Sequence, residues 1–163
     1  KHLDAAPRRY TVEAAKQLTG SWDVAADKGA YDLWVLGPNG FHRHFTGTVA
    51  ASGANPEVQV CYAPAENQVW VKVHNKGMAA ASVSIKANAY RTDGPWTLSV
   101  APQGEGVQSW TLADSGGWYD FTVTVPGVAG YSRRFAGRLE TGKDSVSDPA
   151  MGGTAIGEQV KVA

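Results

Sequence analysis

Apolar and polar residues alternate with a period of two along most of this chain, the pattern of β-strands with one buried face. Val58, Val60 and Tyr62 alternate through EVQVCY, and Val69, Val71 and Val73 through QVWVKVHN. Asn75-Lys76-Gly77 reads as a turn after the second run, and Val83, Ile85, Ala87 and Ala89 resume the alternation in SVSIKANAY. Asp93-Gly94-Pro95 breaks the chain, because glycine and proline disfavour a continuing ladder. Trp96, Leu98 and Val100 then open another strand, and segment 107–112 gives a further one. The stretch VEAAKQL (12–18) has helix-forming residues, but its counterpart TLSVAPQGEGVQSW holds Pro102, Gly104 and Gly106, which disfavour a helix. The region therefore reads as strand, turn, strand.

The counterpart exists because the chain repeats itself. SWDVAADKGAYDLWVLGPNGFHRHFTG and SWTLADSGGWYDFTVTVPGVAGYSRRFAG each place a tyrosine nine residues after a tryptophan (Trp22 and Tyr31, Trp110 and Tyr119). Each tyrosine is followed by Asp32 or Asp120, an alternating apolar run, Pro38 or Pro126, and an aromatic-x-Arg-x-Phe-x-Gly return. The return is Phe41, Arg43, Phe45, Gly47 in one copy and Tyr131, Arg133, Phe135, Gly137 in the other. A repeat of this kind separates scaffold from candidate function: what recurs belongs to the fold. Both copies accept one hairpin register, with Tyr31 opposite Phe45, Leu33 opposite Arg43 and Val35 opposite Phe41, matched by Tyr119–Phe135, Phe121–Arg133 and Val123–Tyr131. These pairs form the packed face. The arginine is expected to lay its stem on the core edge with the guanidinium outward or ion-paired. Trp22 and Trp110 read as core anchors.

The fold class expected is all-β, an immunoglobulin-like antiparallel β-sandwich with an additional half-repeat hairpin region. Residues 50–142 make one complete sandwich repeat, residues 1–49 the second half of a first repeat aligning with 94–141, and residues 143–163 a Gly/Ala-rich tail in which TAIGEQVKVA could add an edge strand. The front half of the first repeat is expected upstream of Lys1, as in an excised fragment or processed product.

Composition narrows the function. Fifteen acidic and fifteen basic side chains cancel and only 18% of residues are charged, which argues against a nucleic-acid partner. No apolar run approaches the roughly 20 residues of a membrane-spanning helix. A single cysteine, Cys61, excludes an internal disulfide and reads as a buried strand thiol.

The hairpin face away from the packing differs between the copies. The second carries Asp120, Thr122, Ser132 and Arg134; the first carries Asp32, Trp34, His42 and His44, with Trp34 opposite His42 and Asp32 opposite His44. Parity also turns Trp70, Lys72 and His74 outward on strand 68–74. Trp34, Trp70, His42, His44 and Asp32 are thus the candidate ligand, membrane or interdomain surface. Two histidines at i, i+2 beside a carboxylate could grip a metal, but no third histidine stands near and a surface role is the better reading, so no metal and no cofactor is expected. Ser21 and Ser109 lack a G-x-S-x-G elbow, GPNG (37–40) lacks the lysine of a phosphate loop, and no catalytic residue is assigned. Exposed tryptophans could stack on sugars, cradle a quaternary ammonium or enter a lipid interface.

YDLWVLGPNGFHRHFTG, NAYRTDGPW, GGWYDFTVTV and RRFAGRLETG followed by SVSDPAMG resemble the C-terminal region of secreted bacterial phosphocholine-preferring phospholipases C, from about Tyr10 to Met151. The resemblance implies a parent enzyme whose large upstream catalytic domain hydrolyses phosphatidylcholine to diacylglycerol and phosphocholine and is followed by two copies of this β domain. It also implies export, to a secreted or periplasmic location. The chain is then a noncatalytic β-sandwich region, partnered by the upstream catalytic domain and by a phospholipid surface, that supports the enzyme or its engagement of lipid. An aromatic-rich carbohydrate- or surface-binding module is the alternative.

Overall fold

A computed structural model describes residues 2, 4–49 and 53–150. Among them are nine strands: β1 (Ala30–Leu36), β2 (His42–Thr48), β3 (Pro56–Ala63), β4 (Gln68–Asn75), β5 (Ala81–Ala89), β6 (Trp96–Val100), β7 (Glu105–Thr111), β8 (Trp118–Thr124) and β9 (Ser132–Arg138). They form an all-β sandwich of two antiparallel sheets, one of six strands in the order β1-β2-β9-β8-β5-β6 and one of three in the order β3-β4-β7. No helix among the described residues is long and apolar enough to cross a membrane.

The alternation placed the core. Val69, Val71 and Val73 of β4 are fully buried against Val83 and Ile85 of β5 and Phe121 and Val123 of β8. Each such side chain contributes roughly 1.5–3 kcal/mol by leaving water. Among the described residues one polar side chain is fully buried, Asn75, and it is satisfied. It accepts from the backbone N–H groups of Asn55 and Gly77 and donates to the carbonyls of Ala79, Val100 and Ala101, so it ties the end of β4 to the turn after β6.

The hairpin faces are as expected, but the register is shifted by two residues. Tyr31 lies opposite Gly47, Leu33 opposite Phe45 and Val35 opposite Arg43, and the other hairpin repeats this with Tyr119–Gly137, Phe121–Phe135 and Val123–Arg133. The cause is a tyrosine seated over a glycine. Gly47 and Gly137 both have φ near +154°, and a Cβ there would stand 2.5 Å from the Tyr31 hydroxyl and 3.0 Å from that of Tyr119. Because side chains alternate with a period of two, a two-residue shift leaves both faces intact.

The two hairpins meet at β2 and β9, which pair antiparallel with His44 opposite Arg134. Across this seam the recurring arginines point inward, not outward or into ion pairs. Arg43 donates to the carbonyls of His42 and Ala136 and to the Tyr119 hydroxyl. Arg133 donates to the carbonyls of Ser132 and Thr46 and to the Tyr31 hydroxyl. Aromatic rings hold both guanidiniums, Phe41 at 4.0 Å from Arg43 and Tyr131 at 4.2 Å from Arg133.

Residues 6–24 form neither strand nor helix. A turn closes from Lys16 N–H to the Glu13 carbonyl, as Gly104 N–H closes to Ala101, but the flanking strands expected there are absent. β6 and β7 have ladders because β5 and β4 stand beside them; no described strand pairs with 6–24. For the same reason Trp22 is 40% exposed and is not a core anchor, whereas Trp110 is 7% exposed, stacked on Trp96 and edge-on to Phe121. Cys61 is half-buried rather than buried, since it lies opposite Trp70 on the outward side of β3. Residues 143–150 lie on the sandwich: Trp118 donates to the Val146 carbonyl and Tyr90 to the Asp148 carboxylate. The edge strand expected in TAIGEQVKVA falls outside the described residues.

Candidate functional site

The outer face of the six-stranded sheet gathers four of the five candidate residues. β1 and β2 run antiparallel, so Asp32 and Trp34 stand beside His42 and His44. The two-residue shift makes Asp32 and His44 diagonal neighbours, and they still meet: His44 Nε2 lies 2.6 Å from Asp32 Oδ1. That hydrogen bond, with the nearby imidazole charge, holds the Asp32 carboxyl below the usual carboxylate range in spite of its partial burial. The Trp34 indole, 62% exposed, tilts over both imidazoles at 4.7 Å from His44 and 5.3 Å from His42.

His42 is the less comfortable histidine. Its Nε2 is buried without a partner among the described residues. Burial, reinforced by the neighbouring Arg134 charge, pushes its pKa below the ordinary imidazole value. Arg134 itself is engaged by Asp120 at 2.9 and 2.5 Å, and Asn88 donates to the same carboxylate at 2.8 Å. The two histidine rings lie parallel, 6.5 Å apart. They do not converge on one point, and His44 Nε2 is already engaged. The patch offers an exposed indole above a hydrogen-bonded Asp32–His44 pair, an arrangement suited to stacking or interfacial contact.

Trp70 stands apart. It is half-buried on the outer face of the three-stranded sheet, opposite Cys61 and Ser109, with His74 of the same face paired to Glu105 at 2.9 Å. The thickness of the sandwich separates it from Trp34, so the five candidates divide between opposite surfaces.

A second constellation was not anticipated. The hydroxyls of Tyr62 and Tyr119 are 2.5 Å apart, and Arg43 donates to both, at 2.9 and 3.1 Å. Burial, and then the Tyr119 hydrogen bond, push the Tyr62 phenol well above its ordinary pKa. The signal was available in the motif: an arginine with aromatics at i−2 and i+2 shares their strand face, and that face is the packed one.

Comparison with known proteins places the chain. The model of the bacterial phospholipase C, C-terminal domain, matches residues 1–48 and 56–138. A non-hemolytic phospholipase C of Burkholderia pseudomallei is 41% identical over 148 residues, covering 89% of this chain and 21% of the relative. A non-hemolytic phospholipase C of Pseudomonas aeruginosa is 39% identical over 151 residues (90% of the chain, 22% of the relative), and a hemolytic phospholipase C of the same organism is 38% identical over 161 (89% and 22%). The chain thus spans about a fifth of the length of these curated relatives.

Proposed function

This chain belongs to the bacterial phospholipase C C-terminal domain family, and from that premise we propose that it is a noncatalytic β-sandwich region that supports a catalytic domain of the same polypeptide. The parent enzyme in this reading acts outside the cytoplasm and cleaves phosphatidylcholine to diacylglycerol and phosphocholine. Residues 50–142 are a complete unit, 143–163 a tail, and 1–49 the second half of a unit whose remainder is supplied by upstream polypeptide.

One observation carries this reading. Phe45 of the 1–49 half packs on the core, but several apolar side chains of that half are left open, with Tyr10, Val12, Leu18, Trp22 and Val35 each at least 40% exposed. The corresponding side of the other half lies under β3 and β4 of the three-stranded sheet. Exposed apolar side chains that would be core in the matching half suit an interaction site. Hydrogen exchange tests it: amides of residues 10–22 should exchange fast in this chain and be protected in the full-length enzyme. Equal exchange in both would reject the docking. Purified 1–163 should release no phosphocholine, and measurable release would reject the noncatalytic assignment.

A second reading, engagement of a lipid interface, rests on the exposure of Trp34. Because Trp34 and Trp70 face opposite ways, a flat bilayer meets one of them at a time. Co-sedimentation with phosphatidylcholine vesicles should then fall several-fold in Trp34→Ala and stay unchanged in Trp70→Ala. Absence of binding by the parent chain would remove lipid docking and leave the supporting role.

A further inference from the structure

Between the β1–β2 loop, β3 and the end of β9 lies an open cavity of about 360 Å³, within the range of small-molecule sites (~300–1,000 Å³). Its walls are pre-organised. Tyr62 and Tyr119 bind each other and Arg43 through their hydroxyls, and Arg43 packs on the Phe41 ring at 4.0 Å. With their hydroxyls engaged, the tyrosines contribute ring carbon, and Phe41 and Tyr62 are about two-fifths exposed (39% and 41%).

Three planar polar side chains complete the lining. Asn39 Nδ2 donates to Glu140 Oε1 at 2.9 Å, and Arg138 Nη2 lies 3.3 Å from Glu140 Oε2. The buried Nε of Arg138 has no partner among the described residues. The Arg138 guanidinium and the Glu140 carboxylate cancel on the rim, and the guanidinium of Arg43 is taken up by the tyrosine hydroxyls and backbone carbonyls. An acyl chain or apolar side chain would suit the rings. It would also strip water from Glu140 and Asn39 without returning hydrogen bonds, which penalises each polar group left unpaired. A pyranose meets both demands: its C–H face lies on an aromatic ring while its hydroxyls donate to the carboxylate and accept from the amide and the guanidinium.

We propose that this cavity binds a neutral saccharide, with Phe41 and Tyr62 as stacking platforms and Asn39, Arg138 and Glu140 as the hydrogen-bonding rim. The site is separate from the Trp34 face and does not depend on the docking of the 1–49 half.

Saturation-transfer and amide-shift NMR on the whole chain, with neutral methyl pyranosides and disaccharides beside phosphocholine and pentanol, tests it. At least one neutral saccharide should receive saturation and shift the amides of 39–41, 62 and 138–140. Its Kd should weaken about tenfold in Phe41→Leu and in Glu140→Ala and be unchanged in Trp34→Ala, tenfold being about 1.4 kcal/mol. Phe41 also supports Arg43, so Glu140→Ala, on the solvent-facing rim, is the deciding variant. The proposal is overturned if no saccharide shifts those amides. It is equally overturned if binding survives Glu140→Ala or is lost instead with Trp34→Ala, or if phosphocholine or pentanol shifts those amides and no saccharide does.

Discussion

The β1–β2 and β8–β9 hairpins share a register, a tyrosine over a glycine and an arginine that reaches across the seam into the other hairpin, yet they live in different environments. Tyr119, Phe121 and Val123 are no more than 3% exposed, while Val35, the counterpart of Val123, is 40% exposed and Trp22 departs from Trp110 in the same way. The local geometry is thus written into each hairpin and survives where the covering is only partial. Burial is not written there; it belongs to whatever lies opposite. A motif seen twice in one chain can therefore be core in one place and surface in the other.

The sharpest way to break this comparison is to truncate the paired tryptophans. Trp110→Ala should cost about 3–5 kcal/mol, as large aromatic truncations in a packed core do, and Trp22→Ala under about 1 kcal/mol. Urea unfolding followed by circular dichroism reads both. Similar losses would mean that the 1–49 half carries a core of its own. The glycines come next. Gly137→Ala forces a side chain into an unfavourable backbone region against an immobile Tyr119, for about 2–3 kcal/mol. Gly47→Ala should cost roughly half as much: Tyr31 is only half-buried and can swing aside. A reversed order in the same unfolding series would contradict the burial argument.

The smallest effect concerns pH. The folded-state pKa of His42 is depressed, so the folded protein favours the neutral ring. The stability this supplies is complete above the ordinary imidazole value near ~6.5 and declines as pH falls from there toward the folded-state value. His42→Ser, which places the residue found at the matching position Ser132, should flatten the change in urea midpoint between pH 8 and pH 5. An unaltered slope would exonerate His42. The depressed Asp32 carboxyl adds a further loss only in more acidic solution, as pH drops below the ordinary carboxylate value.

Strands and faces were legible because they rest on parity, which the residues state directly. Pairing partners were less so. Matching Tyr31 with Phe45 is a reasonable choice from side-chain chemistry, and nothing in the residue string says that Gly47 opens its φ to admit the tyrosine ring instead. The cluster of Asp32, Trp34, His42 and His44 survived that error, since a shift by two returns each side chain to its own face. Trp70 shows the limit: parity turned it outward correctly, but which sheet owns β4 depends on contacts far apart along the chain. Arg43 was misjudged for a related reason. A guanidinium is expected at water unless one knows that two carbonyls, two phenols and an aromatic ring await it inside.

At the margin of the larger sheet, β1 pairs with β2 along one side, and the topology places no described strand along its other side. Its backbone can template a strand from another molecule, and Asp32 is the only charge in the seven-residue run Ala30–Leu36, which has neither lysine nor proline to discourage such pairing. Handled apart from its neighbours, the polypeptide would tend to add edge to edge, and aggregation on concentration should begin at this strand before any part of the valine core has opened.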